Sequence, residues 1–199
     1  VGAVGPDVTA FSVGDAVAGM TGARFGAHAE YAVAPVKGLA LKPAAVSFTD
    51  AAGAMFGGTT ALHFLRRTGV RPGSRVLVLG ASGSVGTSAV QLAKHLGAIV
   101  TATTSAHNAE FVRGLGADTV VDYASTPLDS LPHDFDAVID TVGAASRAQA
   151  LRLAGQSGSV ALIAAGLGDT IRARGRVVAG PAAESADDMA ELLGLLASG

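Results

Sequence analysis

The stretch RVLVLGASGSVGTSAVQLAKHLGAIVTATT, residues 75–104, decides the fold of this chain. It opens with an apolar run at 76–79, which is too short for a buried helix and suits a strand that is covered on both faces. Three glycines follow at three-residue spacing, Gly80, Gly83 and Gly86. After them come apolar residues at helical spacing and then a second apolar strand. The stretch therefore predicts a strand, a glycine turn, a helix and a strand, which form one βαβ unit.

The glycine turn is suited to a phosphate group. Gly80 and Gly83 allow a tight turn and bring backbone N–H groups close to a bulky anion, and Gly86 lets the helix lie close to the strand. The first turn of the helix leaves N–H groups unpaired, and the helix dipole favours a pyrophosphate there. Glycines at such a turn can also serve packing alone. In the context of a βαβ unit we interpret them as a dinucleotide site.

The residues after the second strand bear on which dinucleotide binds. NAD sites carry an Asp or Glu there for the ribose hydroxyls. Here residues 103–108 read TTSAHN, and no carboxylate comes before Glu110. A carboxylate would repel a 2′-phosphate, whereas hydroxyls and an amide can donate to it, so we predict NADPH. The alternative is an ordinary polar loop in which Ser105 or Asn108 caps the next helix, and both can be true of the same residues.

The composition excludes several classes of protein. The chain has 199 residues, of which 49% are hydrophobic and 15% charged, as in a globular protein. Its net charge of −2 offers no surface for nucleic acid. No apolar run reaches the roughly 18 residues of a membrane span. The absence of cysteine excludes disulfides and makes the cytoplasm the expected location.

The remaining segments alternate between strands and helices. Further strands are predicted at 119–121, 135–139, 159–165 and 176–179, and further helices at 109–115, 145–154 and 186–197. A helix at 47–68 is expected to be interrupted or kinked at Gly57 and Gly58. The first 46 residues contain short strands and turns, including a strand at 29–33. The prediction is an α/β fold, with a doubly wound parallel sheet preceded by part of a small barrel.

Six segments together resemble one family. In chain order they read VGPDVTAFSVGDAVAGM, GAHAEYAVAP, LKPAAVSFTDAAGAMFGGTTALHFL, GASGSVGTSAVQLAKHLGA, LGADTVVDY and FDAVIDTVG. The whole chain is similar to the zinc-free quinone oxidoreductases of the medium-chain dehydrogenase/reductase superfamily, which include zeta-crystallin-type enzymes. The resemblance implies an incomplete GroES-like β-barrel segment at 1–46, a Rossmann NADP-binding domain at 47–199, and a cofactor in the cleft between them. It also implies a chain truncated at both ends.

The resemblance also implies which residues contact NADPH. The pyrophosphate would be held by backbone amides of the glycine turn: Gly83, Ser84, Val85 and Gly86. Ser105 and Tyr123 match family positions around the adenosine 2′-phosphate, and Asn108 is a weaker candidate. At the other end of the cofactor the contacts would come from Thr60, beside the nicotinamide-side phosphate or ribose, and from the nicotinamide-lining residues Val142, Ala165 and Gly166.

The function implied by the resemblance is NADPH-dependent hydride transfer to a quinone or an α,β-unsaturated carbonyl. Because the cofactor carries the hard step and the protein orients and shields it, an obvious acid–base pair is not required, and the sequence leaves the catalytic residue unknown. A catalytically idle NADP-binding module and an enoyl-thioester reductase of the same superfamily remain as alternatives. Relatives imply a homodimer through the edge of the Rossmann sheet, with strand 176–179 as the candidate edge.

No metal site is predicted. Zinc sites use Cys, His and carboxylate ligands, and this chain has no cysteine and five scattered histidines. Two other polar residues have ordinary structural interpretations. Tyr31 is expected to pack in the barrel, and Asp140, at a strand end, is expected to hold a turn.

Overall fold

The computed structural model describes residues 1–22, 25–183 and 185–199. The chain divides into two compact units. We call Val1–Thr59 with Ala183–Gly199 unit 1, and Thr60–Ala182 unit 2. This division differs from the predicted domain boundary between residues 46 and 47, which stays a prediction.

The described residues contain the following helices and strands. The strands are β1 (Val17–Gly19), β2 (Leu39–Leu41), β3 (Arg75–Leu79), β4 (Ile99–Thr104), β5 (Thr119–Asp122), β6 (Ala137–Asp140), β7 (Ser159–Leu162) and β8 (Val177–Ala179). The α-helices are α1 (Phe48–Arg67), α2 (Ser84–His95), α3 (Ala109–Gly114), α4 (Arg147–Leu153), α5 (Leu167–Arg172) and α6 (Ala186–Ser198). Short 3₁₀ turns lie at Val36–Gly38, Ala106–Asn108 and Leu128–Ser130.

Among its described residues, unit 1 contains one antiparallel strand pair and helix α6, which packs against this pair. β1 pairs with β2, so that Val17 lies opposite Leu41, and α6 contacts both strands. The strand predicted at 29–33 is wrong, because no described strand pairs with this segment and a strand needs a hydrogen-bonded partner. Tyr31 is 83% exposed and does not pack in a barrel interior.

Helix α1 is continuous over 20 residues, so the predicted break into two helices at Gly57 and Gly58 is wrong, while a kink there stays a prediction. Gly58 has a packing role within unit 1. A Cβ added to Gly58 would lie 2.9 Å from Cδ1 of Leu192 in α6, so this glycine allows close contact between two helices. The predicted start of α1 is confirmed, because the Ser47 hydroxyl accepts a hydrogen bond from the backbone N–H of Asp50 at 3.0 Å.

Unit 2 is built on a six-stranded parallel sheet, which confirms the predicted doubly wound fold class. The strand order is β5-β4-β3-β6-β7-β8, and it reverses between β3 and β6. Both faces of β3 are covered, because all four residues from Val76 to Leu79 are buried although neighbouring side chains point to opposite faces. On one face Leu77 and Leu79 pack with Leu153 of α4 in a cluster of buried apolar side chains.

Candidate functional site

The loops that follow the central strands meet at one edge of the sheet. Leu79 at the end of β3 pairs with Thr103 of β4 and with Asp140 at the end of β6. Asp140 in turn pairs with Leu162 at the end of β7. The carboxyl ends of these parallel strands are therefore level. Ligands bind α/β sheets at this edge, next to the point where the strand order reverses.

Two glycines of the turn after β3 are required by the fold itself. Gly80 has a φ of +79°, and a Cβ there would lie 2.5 Å from Cγ1 of Val142. A Cβ on Gly86 would lie 2.2 Å from the carbonyl oxygen of Gly80 and 2.8 Å from Cα of Ala81. The predicted role of Gly86 in close packing of helix against strand is confirmed. The same geometry brings Val142 against the glycine turn.

Gly83 has a different environment. It is the residue before α2, with a φ of −81°, which any residue can adopt. A Cβ there would meet the Gly80 carbonyl oxygen at 3.6 Å, an ordinary contact. No side chain of the described residues caps α2, and the first-turn N–H groups, those of Ser84, Val85 and Gly86 among them, have no acceptor within the helix. The exposed cradle suits an anion that approaches the backbone closely.

The carboxyl end of β4 lies beside this cradle, and polar residues follow it in the chain. The hydroxyl of Thr103 accepts a hydrogen bond from the backbone N–H of Gly80 at 3.3 Å. The backbone N–H of Tyr123 donates to the carbonyl oxygen of Thr104 at 3.2 Å, and the Tyr123 side chain is 60% exposed. Neither Ser105 nor Asn108 makes a capping hydrogen bond through its side chain. The structure therefore does not support the capping alternative, which leaves these groups available to a ligand.

Thr104 was missed by the sequence analysis as an individual residue. It is the last residue of β4 and is only 1% exposed. Its hydroxyl has no hydrogen-bond partner among the described residues. A buried hydroxyl is normally paired, so this orphaned group is an unusual feature of the carboxyl end of β4. The sequence gives no signal for it, because burial and partners depend on the surrounding fold.

The loop after β6 is fixed by one carboxylate. Asp140 is 1% exposed. Its two oxygens accept hydrogen bonds at 2.8–3.1 Å from four successive backbone N–H groups, those of Val142, Gly143, Ala144 and Ala145. This confirms the predicted turn role of Asp140. Val142 is thereby held at the edge, with an exposed side chain.

Ala165 and Gly166 follow β7, beyond the strand that the sequence predicted to continue to residue 165. β7 ends at Leu162, and Gly166 is the residue before α5, a helix that the sequence analysis missed. Thr60 differs from the other predicted residues, because it is buried within α1. No hydrogen bond of the described residues joins Thr60 to the loops at the carboxyl edge.

The carboxylates with shifted pKa values take part in structural ion pairs. Lys94, through a hydrogen bond at 2.8 Å, and the backbone N–H of Val100 lower the pKa of Asp118. Val100 is at the amino end of β4, away from the carboxyl edge. Hydrogen bonds from the side chain of Arg152 and, with a smaller effect, from that of Gln149 lower the pKa of Asp129. Asp129 lies in a 3₁₀ turn. Neither is an acid or base for chemistry at the glycine turn.

The described residues offer neither a metal cluster nor a membrane-spanning helix. Within residues 1–22, 25–183 and 185–199, no group of three or more His, Asp or Glu side chains is arranged to hold a metal ion. The predicted absence of a metal site stays a prediction. In the same residues no helix has the length and apolar character needed to cross a membrane.

Several known proteins are similar to this chain. A 2-methylene-furan-3-one reductase of Solanum lycopersicum is 38% identical over 142 residues, which cover 70% of this chain and 36% of the relative. An NADPH-dependent alkenal/one oxidoreductase of Arabidopsis thaliana, described as chloroplastic, is 41% identical over 127 residues, which cover 63% of this chain and 33% of the relative. The chain thus spans about a third of the length of these relatives.

A solved structure and a family pattern extend the comparison. The quinone oxidoreductase from Coxiella burnetii superposes with a TM-score of 0.88 at 29% identity, over 98% of this chain and 64% of that one. The resemblance to quinone oxidoreductases of the medium-chain superfamily is confirmed. The pattern described as zinc-binding dehydrogenase matches residues 84–197, more than half of the 199 residues. This chain therefore belongs to the zinc-binding dehydrogenase family.

Proposed function

We propose that this chain is an NADPH-dependent oxidoreductase that transfers hydride to a quinone or an α,β-unsaturated carbonyl compound. The observation that carries the proposal is the open glycine cradle at Gly83, beside a strand end that has hydroxyls in place of a carboxylate. The relatives support the substrate class, because their names describe the reduction of an enone, of alkenals and of a quinone.

Two groups of residues would hold the cofactor. The N–H groups at the start of α2 would bind the pyrophosphate, which the helix dipole also favours. The hydroxyls of Ser105 and Tyr123 and the amide of Asn108 would donate to the 2′-phosphate. No acidic side chain occurs between Thr103 and Asn108 to repel it.

The other predicted contacts concern the nicotinamide end. When bound, NADPH supplies the hydride and the electrons. Val142, which Asp140 holds in place, would orient the ring and exclude water from one side of it. Ala165 and Gly166 would line the ring, and Thr60 would contact the adjoining phosphate or ribose. We assign no proton donor to this chain.

Turnover tests the proposal directly. NADPH oxidation is followed at 340 nm with a small benzoquinone, an alkenal and an enoyl-thioester as separate acceptors. We expect turnover with the quinone or the alkenal. Exclusive turnover of the thioester would favour the enoyl-thioester reductase. Cofactor binding without turnover of any acceptor would favour the idle NADP-binding module.

Replacement of Ser105 by Asp should reverse the cofactor preference. The new carboxylate stands where NAD sites carry one, so it repels the 2′-phosphate and accepts from ribose hydroxyls. We expect NADPH affinity to fall by roughly tenfold to a hundredfold while NADH affinity is kept or rises. Fluorescence titration with both cofactors measures the change, and Ser105→Ala is the matched control. An equal loss of both cofactors in Ser105→Asp would contradict a contact with the phosphate.

We also propose a homodimer through β8. In the six-stranded sheet β8 is at an edge and pairs with β7, so its outer backbone groups are available for pairing. Sedimentation equilibrium at micromolar concentration should give twice the mass of the chain, and a monomer at all concentrations would contradict the proposal. Location in the cytoplasm and the absence of a nucleic-acid partner remain predictions.

A further inference from the structure

A small cavity lies between the loops that follow β6 and β7 in unit 2. Its volume is about 180 Å³, and its lining includes Ala165 and Gly166. Pockets that enclose a whole drug-sized ligand have volumes of about 300–1,000 Å³. This cavity is therefore suited to one substituent of a larger ligand.

The polar side chains of the cavity are Asp140, Ser146, Arg147 and Asp169. Two of them already have structural roles. Asp140 accepts four backbone hydrogen bonds. Ser146 caps α4 by accepting from the backbone N–H of Gln149 at 3.2 Å.

Arg147 is different, because its Nη1 is buried and has no hydrogen-bond partner among the described residues. A buried donor without an acceptor costs free energy, and the cost is greater for a charged group. Arg147 itself lines the cavity, so its guanidinium group is placed to offer a donor to an acceptor there. The sequence analysis gave Arg147 no role, and only its burial distinguishes it from the other arginines.

The donors and acceptors of the cavity indicate the class of ligand group. Arg147 supplies a donor and the Asp169 carboxylate supplies an acceptor. A primary carboxamide has the complementary pair, a carbonyl oxygen and an NH₂ group. An anionic group is disfavoured, because two aspartates and one guanidinium line the cavity.

We propose that Arg147 is a specificity-determining residue that donates to the carbonyl oxygen of the nicotinamide carboxamide, while Asp169 accepts from its nitrogen. The inference rests on the proposed function, because it assumes that Ala165 and Gly166 line the nicotinamide. It goes beyond that function in assigning the carboxamide to a defined cavity and to two side chains outside the predicted set.

Variants of two arginines on α4 test the assignment. Arg147→Met should weaken NADP⁺ binding on the order of tenfold through loss of the charged hydrogen bond. Arg152→Met is the matched control, since Arg152 is exposed and pairs with Asp129 at 2.9 Å, and it should leave NADP⁺ affinity unchanged. Both variants should bind 2′,5′-ADP, which lacks the nicotinamide, as the parent chain does. Unchanged NADP⁺ affinity in Arg147→Met would overturn the proposal.

A cofactor analogue gives a second readout in the unmodified chain. Thio-NADP⁺ replaces the carbonyl oxygen by sulfur, a weak acceptor. We expect the parent chain to bind NADP⁺ several-fold more tightly than thio-NADP⁺, and Arg147→Met to bind both about equally. No preference in the parent chain would overturn the role of Arg147 even if the variant fails to fold. Failure of the parent chain to bind 2′,5′-ADP would instead overturn the proposed NADPH site.

Discussion

Replacement of Gly83 by Asp should abolish NADPH binding and leave the fold intact. The new Cβ meets the Gly80 carbonyl oxygen at an ordinary 3.6 Å, and the backbone already has an extended conformation with a φ of −81°. Asp is a preferred N-cap residue and exceeds Gly there by a few tenths of a kcal/mol. We therefore expect an unfolding temperature equal to or slightly above that of the parent.

The loss of binding has two physical causes. The side chain occupies the space through which a pyrophosphate approaches the N–H groups of α2, and its carboxylate repels the phosphates. We expect the dissociation constant for NADPH to rise by at least about a hundredfold. Fluorescence titration measures the affinity, and thermal unfolding measures the stability.

Gly83→Ala is the control for steric effects without charge, and it should weaken NADPH binding less than Gly83→Asp does. Two results would contradict the assignment. Unchanged NADPH affinity in Gly83→Asp would show that the cofactor does not use this cradle. A large loss of stability would show that Gly83 is required by the fold.

Replacement of Gly86 by Ala should have the opposite effect and destabilise the fold. The added methyl group would lie 2.2 Å from the Gly80 carbonyl oxygen and within 3 Å of two backbone atoms of Ala81. These are main-chain atoms of a buried turn, so α2 must move away from β3 to accommodate it. Overpacking typically costs about 1–3 kcal/mol, and we expect about 3 kcal/mol or more here because the neighbours cannot change rotamer.

The measurement is urea or thermal unfolding of the parent and variant chains. A loss of this size should lower the unfolding temperature on the order of 10 °C. Gly114→Ala is a suitable control, since Gly114 lies in α3 and, apart from its chain neighbours and the backbone of its own helix, no described atom would lie within 4 Å of an added Cβ. It should be neutral or stabilising. An unfolding temperature of Gly86→Ala equal to that of the parent would contradict the close contact between α2 and the turn.

The sequence predicted unit 2 well because its signals are local. The apolar run before Gly80 and the helical spacing after Gly86 define a βαβ unit. In the later segments predicted strands alternate with predicted helices, and this order is typical of a parallel sheet. Residues that directly follow a strand, such as Ser105 and Tyr123, then lie at the carboxyl edge even if the predicted strand end is wrong by one or two residues.

The errors arise where residues that are distant in sequence determine the local structure. The alternation around Tyr31 is typical of a strand, but a strand forms only where another strand pairs with it. Gly58 suggests a helix break, yet α1 continues through it, and the glycine leaves space for Leu192, which is more than a hundred residues away in sequence. Arg147 and Thr104 became candidates only through burial without a partner. Such a property belongs to the folded environment and has no sequence pattern.

The four hydrogen bonds to Asp140 bear on how the proposed nicotinamide end of the site would recognise its ligand. A loop that is ordered only on binding loses conformational entropy at that moment, which weakens affinity. Residues 142–145 are already tied to one carboxylate. Val142 is thus a preorganised wall rather than part of a closing lid. Selectivity at this wall should follow from its fixed shape, so changes of side-chain volume at Val142 would adjust it without a cost in loop ordering.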